Sequence, residues 1–327
     1  MAGAGAIGCF AGGLLAAAGL PVTLLCRPRT AEEVRAHGLT LTDFTGMAQR
    51  VEAEDIGLAT DPARLGRADI VLVTVKSPDT AAMARLIADH APASARIVSL
   101  QNGTENAGTL AAALPGHDVR AGMVPFNVVP MGQGGFHRAT SGDIVIAAGP
   151  GALARTLSVP HLPVTESAQL QRVLWGKFLI NLNNALNALS GLTLQDQLRA
   201  RDWRCLLADQ WQEGLAVLRA GGARPLSTTP LPVGLIPWVL RLPTPVFARV
   251  AAPMLTVAAQ ARTSMAQDLM AGRRTEIDAL QGQVVRMGAR HGVPTPISAM
   301  VVDVVETAEL AGQGLPNLPV SALRAAI

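Results

Sequence analysis

The sequence predicts an α/β, doubly wound sheet in its first half and an all-helical second half, and three observations carry that expectation. Up to about residue 150, short runs rich in Val, Ile and Leu alternate with helical stretches, the pattern of βαβ units around a parallel sheet. A glycine-rich turn opens the first helix. Beyond residue 163 strand signals fade, and apolar residues recur at helical spacing through Leu170, Leu174, Phe178 and Leu182. A chain of 327 residues, 49% of them apolar, can bury two cores. The Gly- and Pro-containing stretch 149–163 divides it into domains 1–163 and 164–327.

The first element is the turn. Gly3, Gly5 and Gly8 in G-A-G-A-I-G have the spacing of a dinucleotide fingerprint. In that reading Gly3 makes the tight turn and Gly5 lets the backbone of Gly5, Ala6 and Ile7 approach a pyrophosphate. Gly8 lets the helix sit close to the sheet, and the unpaired N–H groups of the helix start serve the phosphates. The first domain is therefore expected to be a Rossmann-type nucleotide-binding unit. Only Met1 and Ala2 precede the turn, so the strand that should support it is expected to be missing and the natural start to lie upstream.

Strands are predicted over 22–26, 70–75, 96–100 and 119–124, with edge strands near 127–129 and 143–148. Helices are expected from Ala6, Pro78 and Gly103, then over 167–189, 194–220, 264–270, 275–291 and 296–310. Where an NAD enzyme places an acidic residue after its second strand, this chain has Cys26, Arg27, Pro28 and Arg29. A guanidinium pairs with a 2′-phosphate that a carboxylate repels, so Arg27 points to NADP as the cofactor.

Composition excludes several classes. Charged residues are 16% of the chain and the formal net charge is +3, too little for the basic stripe of a nucleic-acid binder. Cys9, Cys26 and Cys205 lie far apart and the six histidines are scattered, so neither a disulfide framework nor a metal is expected. The apolar opening lacks the basic start of a signal peptide, and prolines and arginines break the apolar stretch 225–261 before bilayer length. The expectation is a cytoplasmic protein with no membrane partner. Trp238, Leu242, Phe247 and Val250 in that stretch suggest a homodimer face.

Four polar groups stand out. Lys76 and Ser77 end one predicted strand, and Gln101, Asn102 and Gly103 end the next, where doubly wound sheets present ligand loops. A solvated lysine or a turn asparagine would account for either one alone. In W-G-K-F-L-I-N-L-N-N-A-L-N, Lys177, Asn181 and Asn184 have the spacing of one helix face beside apolar positions. Finally, S-M-A-Q-D-L-M-A-G-R-R-T-E-I-D contains Ser264 and Glu276. Thr275 and Asp278 there have capping-box spacing, which would make Glu276 a first-turn residue.

Taken in order, the glycine fingerprint, V-K-S, L-Q-N-G, W-x-K-x-x-x-N, S-M-x-Q-D and R-x-T-E-I-D resemble the ketopantoate reductase family over nearly the whole chain. The resemblance implies a second domain of the 6-phosphogluconate dehydrogenase type. It also implies NADPH-dependent reduction of a 2-oxo acid, 2-dehydropantoate to pantoate, in pantothenate biosynthesis. By motif, Lys177 would be the general acid and Glu276 its partner. Asn102 would lie near nicotinamide and substrate, and Lys76 near the cofactor ribose. Asn181, Asn184 and Ser264 would hold the substrate. The second helix asparagine usually follows the first by four residues; here Asn184 follows Asn181 by three, with Asn183 and Asn187 as alternatives. The long stretch 225–261 leaves room for a related reductase of another 2-oxo acid or ketone, or for an NADPH-binding sensor without turnover.

Overall fold

A computed structural model describes residues 1–252 and 260–327, so the 253–259 part of the apolar stretch lies outside the described residues. The chain divides into two compact units, Met1–Gln171 and Arg172–Ile327.

The first unit runs α1 (Ala6–Ala17), β1 (Thr23–Leu25), α2 (Pro28–His37), β2 (Leu39–Asp43), β3 (Ala48–Val51), β4 (Gly57–Ala59), β5 (Ile70–Val73), α3 (Thr80–His90) and β6 (Arg96–Ser99). It continues with α4 (Asn106–Ala113), β7 (Val119–Met123), β8 (Val128–Gly132), β9 (Gly135–Arg138), β10 (Ile144–Ala147), α5 (Leu153–Leu157) and β11 (Val164–Ser167). β5, β6 and β7 pair in parallel, β10 is antiparallel to β7, and β11 is parallel to β10. β1 and β4 form a separate parallel pair.

The expected gap in the sheet is filled by two residues. Ala2 bridges in parallel to Leu25 on one side and Val73 on the other. Its N–H donates to Leu72 O (2.8 Å) and its carbonyl accepts from Thr74 N (2.9 Å), while Leu25 N donates to Met1 O (2.9 Å) and Gly3 N to Leu25 O (3.2 Å). The missing strand is thus corrected to a rudimentary one. It joins the pieces in the order β4, β1, Ala2, β5, β6, β7, β10, β11.

A second, four-stranded sheet has the order β3, β2, β9, β8. Sequence reading misses most of it because β2 and β3 carry Thr, Asp, Gln and Arg between few apolar residues. α1 packs against all four of its strands and against β1. This explains the glycine pair: a Cβ on Gly12 would lie 2.8 Å from Leu24 Cδ2, and one on Gly13 2.8 Å from Leu41 Cδ1. α1 is therefore buried nearly all round. Ala84 and Ile87 of α3 and Leu110 of α4 join Val71, Val73 and Ile97 in a second cluster.

The division falls after Gln171, later than the expected 163, because β11 belongs to the first sheet. Its polar Thr165, Glu166 and Ser167 conceal it in the sequence. The second unit comprises α6 (Leu170–Asn181), which starts at the division, α7 (Asn183–Ser190), α8 (Leu194–Arg199), α9 (Arg201–Ala220), α10 (Ile236–Arg241), α11 (Thr244–Val250) and α12 (Ser264–Met270). A π-helical turn (Asp278–Gly282), α13 (Gln283–His291), α14 (Pro296–Ala311) and α15 (Val320–Ala325) follow. Among the described residues no helix is long and apolar enough to cross a membrane.

Two polar side chains organise this unit. Arg204 is fully buried, and its guanidinium donates to the carbonyls of Leu198 (2.8 Å), Arg199 (2.9 Å), Leu240 (3.0 Å) and Leu242 (2.9 Å) and lies 4.2 Å over the Phe247 ring. Those carbonyls sit at the C-terminal ends of α8 and α10, which have no helical partners of their own and favour a cation. Glu213 of α9 accepts from Ile297 N (2.7 Å) and Ser298 N (2.9 Å), capping the start of α14 from a distance. Replacing Arg204 by Met strands several buried carbonyls, so we expect a stability loss of about 3 kcal/mol or more. Urea unfolding checks this; a loss below about 1 kcal/mol would contradict the account.

Candidate active site

The candidate residues form two groups, one in each unit. In the first unit Gly3 has φ +107°, a region a side chain rarely adopts, and a Cβ there would lie 2.8 Å from Val75 Cγ1. Thr74 Oγ1 donates to Gly3 O (2.6 Å) and holds the turn. A Cβ on Gly8 would collide with that same carbonyl oxygen and lie 2.7 Å from Thr74 Oγ1. Gly5 is different: a Cβ there meets nothing within 4 Å. The turn is closed around Gly3 and Gly8 and open at Gly5, where α1 begins without a side-chain cap. Open space before uncapped N–H groups fits a dinucleotide phosphate.

Arg27 and Arg29 follow β1 and are exposed. Arg27 is the N-cap residue of α2, whose first turn holds Pro28 and no acidic side chain. Lys76 is exposed and caps a short 3₁₀ turn after β5. Asn102 follows β6, half-buried, with Gly103 behind it at φ +89°. Three residues that sequence reading left aside lie behind these two loops: Ser99, Thr80 and Asn106, joined by Gln101, are buried and hydrogen-bonded in series. Asn106, four residues beyond Asn102, was the available signal.

In the second unit the single helix expected over 167–189 is two helices that meet at Leu182. Lys177 and Asn181 lie one turn apart on α6, while Asn184 belongs to α7. Leu182 between them keeps right-handed helical dihedrals, and its N–H still donates to Phe178 O (3.2 Å), so the chain stays helical across the join. Asn181 is buried, and Lys177 and Asn184 are half-buried. Although its stem keeps some solvent contact, desolvation pushes the Lys177 ammonium down from its ordinary 10.5 to about 8.

The competing asparagines separate cleanly. Asn183 exchanges hydrogen bonds with Gln197 (2.9 and 3.3 Å). Asn187 donates to Gln197 Oε1 (3.1 Å) and Leu192 O (3.1 Å) and accepts from Thr263 N (3.1 Å). Both are occupied in holding α7 to α8 and to the start of α12. Asn184 instead directs its amide to Ser264 Oγ at 3.5 Å, bringing two predicted substrate residues together.

Glu276 is half-buried in the segment before the π-helical turn, not in the first turn of a helix. The capping box is also absent: Thr275 N donates to Glu309 (2.7 Å), Thr275 Oγ1 accepts from Ile277 N (3.2 Å), and Asp278 pairs with Arg286. Asp268 of the S-M-A-Q-D motif pairs with Arg273 (3.0 Å). The expected dimer face also changes. Phe247 is buried beneath Arg204 and Leu242 is half-buried, leaving Trp238, Val246 and Val250 exposed.

Family models for ketopantoate reductase match both units, the PanE/ApbA model over residues 1–151 and its C-terminal model over residues 169–309. The 2-dehydropantoate 2-reductase of Halobacterium salinarum is 30% identical over 319 residues, covering 95% of this chain and 98% of its own. The chain belongs to the ketopantoate reductase family. A PanE/ApbA family ketopantoate reductase from Ralstonia eutropha is 32% identical, with a TM-score of 0.81 over 95% of this chain and 98% of that one. D-mandelate dehydrogenase, solved with NADH, shares the fold with a TM-score of 0.75 over 95% of this chain and 98% of that one, at 20% identity. As a family member the chain is an NADP-dependent oxidoreductase acting on a CH–OH group.

The glycines of the turn yield a paired test. Gly5→Ala should leave the melting temperature unchanged and weaken NADPH binding about tenfold or more, since its methyl enters only the space a phosphate needs. Gly8→Ala should lower both, because the free protein itself must shift. Calorimetric titration and thermal unfolding read the two effects; a Gly5→Ala protein with unaltered NADPH affinity would remove the phosphate from this turn.

Proposed function

We propose that this chain reduces 2-dehydropantoate to pantoate with NADPH, Lys177 acting as general acid. The observation that carries the reading is a lysine whose ammonium is held near 8, one helical turn from buried Asn181. A lysine at its ordinary 10.5 is a poor proton donor at neutral pH; one near 8 is matched to the task.

Gly3, Gly5, Ala6, Ile7 and Gly8 would hold the cofactor pyrophosphate, Lys76 and Asn102 would face its ribose and nicotinamide, and Arg27 would meet the 2′-phosphate. The α2 start adds its positive end to the guanidinium, with no acidic side chain in its first turn to oppose an anion. When bound, the cofactor supplies the hydride for the ketone carbon. Negative charge then grows on the ketone oxygen, and Lys177 Nζ donates a hydrogen bond to it and delivers the proton. Glu276 would favour the ammonium that must be restored from water. Asn181, Asn184 and Ser264 would fix the carboxylate and hydroxyl oxygens of the 2-oxo acid. Asn183 and Asn187 are taken up by Gln197, which supports Asn184 as the second substrate asparagine.

A related 2-oxo acid is the second reading, supported by the spacing of three between Asn181 and Asn184 and by the long apolar stretch 225–261. Initial rates of NADPH oxidation across a panel of 2-oxo acids decide between them. Trp238, Val246 and Val250 offer the face for a homodimer.

Lys177→Ala should lower kcat about a hundred- to ten-thousandfold with NADPH affinity nearly intact. Wild-type turnover in that variant would end the assignment. The protonated amine is the active form, so kcat/KM for reduction should be level below about 8 and fall tenfold per pH unit above it. A profile still rising at pH 9 would contradict it. Arg27→Ala should weaken NADPH about tenfold, the low end for a charge-assisted contact at an exposed site, and leave NADH unchanged. Stopped-flow titration with both cofactors reads the difference, and equal losses would sink the 2′-phosphate contact.

A further inference from the structure

Behind the loops of Lys76 and Asn102 lies a hydrogen-bonded series that the proposed reaction does not use. Ser99 Oγ donates to Gln101 Oε1 (3.0 Å), which fixes the other end of that amide as donor. Gln101 Nε2 donates to Val75 O (3.0 Å) and Thr80 Oγ1 (2.7 Å). Having accepted there, the Thr80 hydroxyl donates to Asn106 Oδ1 (2.9 Å). The Asn106 amide must therefore donate forward, to Ser77 Oγ (3.0 Å) and to Asn102 O. Ser77 Oγ also donates to Asn102 O (3.2 Å).

Ser99, Gln101, Thr80 and Asn106 are all buried. Burying amides and hydroxyls costs free energy unless every partner is met, and a fully partnered series locks its ends in place. Its ends lie on both sides of Lys76, at the Val75 carbonyl and the Ser77 hydroxyl, and at the main chain of Asn102. A plain surface turn after β5 or β6 would need no such backing.

We propose that Asn106, backed by Thr80 and Gln101, is the positioning residue that holds the Lys76 and Asn102 loops in the arrangement that receives the cofactor; this rests on the reading that those two residues face it. Asn106 touches no reacting atom. It acts through the Asn102 carbonyl and the Ser77 hydroxyl.

Asn106→Asp keeps the acceptor for Thr80 and replaces the donating amide by a carboxylate facing Asn102 O and Ser77. We expect the Kd and KM for NADPH to rise about tenfold. In an Asn102→Ala/Lys76→Ala background the same substitution should change Kd less than about twofold, because a residue acting through those two has nothing left to position. A merely structural role predicts equal losses in both backgrounds, and that result, or unaltered NADPH binding in Asn106→Asp, overturns the proposal. Should Asn106→Asp not fold, Thr80→Val and Thr80→Ser carry the same test: the first should weaken NADPH, and the second, which keeps the hydroxyl, should restore it. Failure of the underlying reading has its own signature. An Asn102→Ala/Lys76→Ala protein with normal NADPH affinity and turnover would remove Lys76 and Asn102 from the site, and the proposal with them.

Discussion

The first unit depends on two residues doing the work of a strand. Ala2 gives its N–H to Leu72 and its carbonyl to Thr74, while Met1 and Gly3 bond to Leu25 on the other side. Without that bridge β1 and β4 would be a detached pair. The glycine turn hangs directly from it, so Gly3 reaches its positive φ with Ala2 anchored behind it and Thr74 Oγ1 closing on its carbonyl. Every further demand on the turn follows from this closeness. Gly8 has no room for a methyl because the Gly3 carbonyl already occupies it, and Gly5 alone is left open toward an incoming phosphate.

The second unit solves a different problem, how to hold short helices whose ends fall inside an apolar cluster. Its answer is to bury polar groups whose hydrogen bonds go to helix ends. Arg204 takes the carbonyls after α8 and α10, Glu213 takes the N–H groups at the start of α14, and Asn187 with Gln197 ties α7 to α8 and α12. Such groups resemble site residues in a sequence, being polar and set among Leu and Ala. Only their partners distinguish them. Asn183 and Asn187 satisfy the scaffold, whereas Asn184 reaches Ser264, which no helix end requires.

What could be read from the sequence followed from how much of the physics is local. The strand β5 is a continuous apolar run and β6 and β7 are mainly small or apolar, and each was legible to within about two residues. The turn at Gly3, Gly5 and Gly8 was legible because backbone geometry admits few alternatives to glycine there. The small sheet was not, since β2 and β3 are half polar and gain their identity from α1 pressing Gly13 against Leu39 and Leu41. The join at Leu182 left no local mark, as neither Gly nor Pro occupies it. Phe247 read as surface because only the fold supplies Arg204 to cover it. The competing reading of Glu276 as a first-turn residue arose because Thr275 and Asp278 have capping-box spacing, while Glu309 and Arg286, which claim them, are distant in sequence.

Lys177 shares with those scaffold groups the cost of desolvation, which shifts each of them against its charged form. Arg204 and Glu213 are buried against groups that need them, yet burial still pushes the Arg204 guanidinium down and the Glu213 carboxyl up, the hydrogen bonds offsetting only part of the desolvation. The dominant influence on Lys177 is desolvation alone, which lowers its ammonium to about 8. A lysine depressed in the folded state binds fewer protons than in the unfolded chain between about 8 and 10.5, so stability rises with pH through that window and the penalty is fully present below it. At neutral pH the burial opposes folding by an amount on the order of 1 to 3 kcal/mol, the upper figure discounted by the solvent that reaches its stem. Under the proposed mechanism, the pH range in which the folded protein bears that cost is the range in which the amine carries the proton that reduction would consume. A side chain kept for packing would be better served by methionine, with the same reach and no charge to desolvate. Under the proposed mechanism the burial serves the proton.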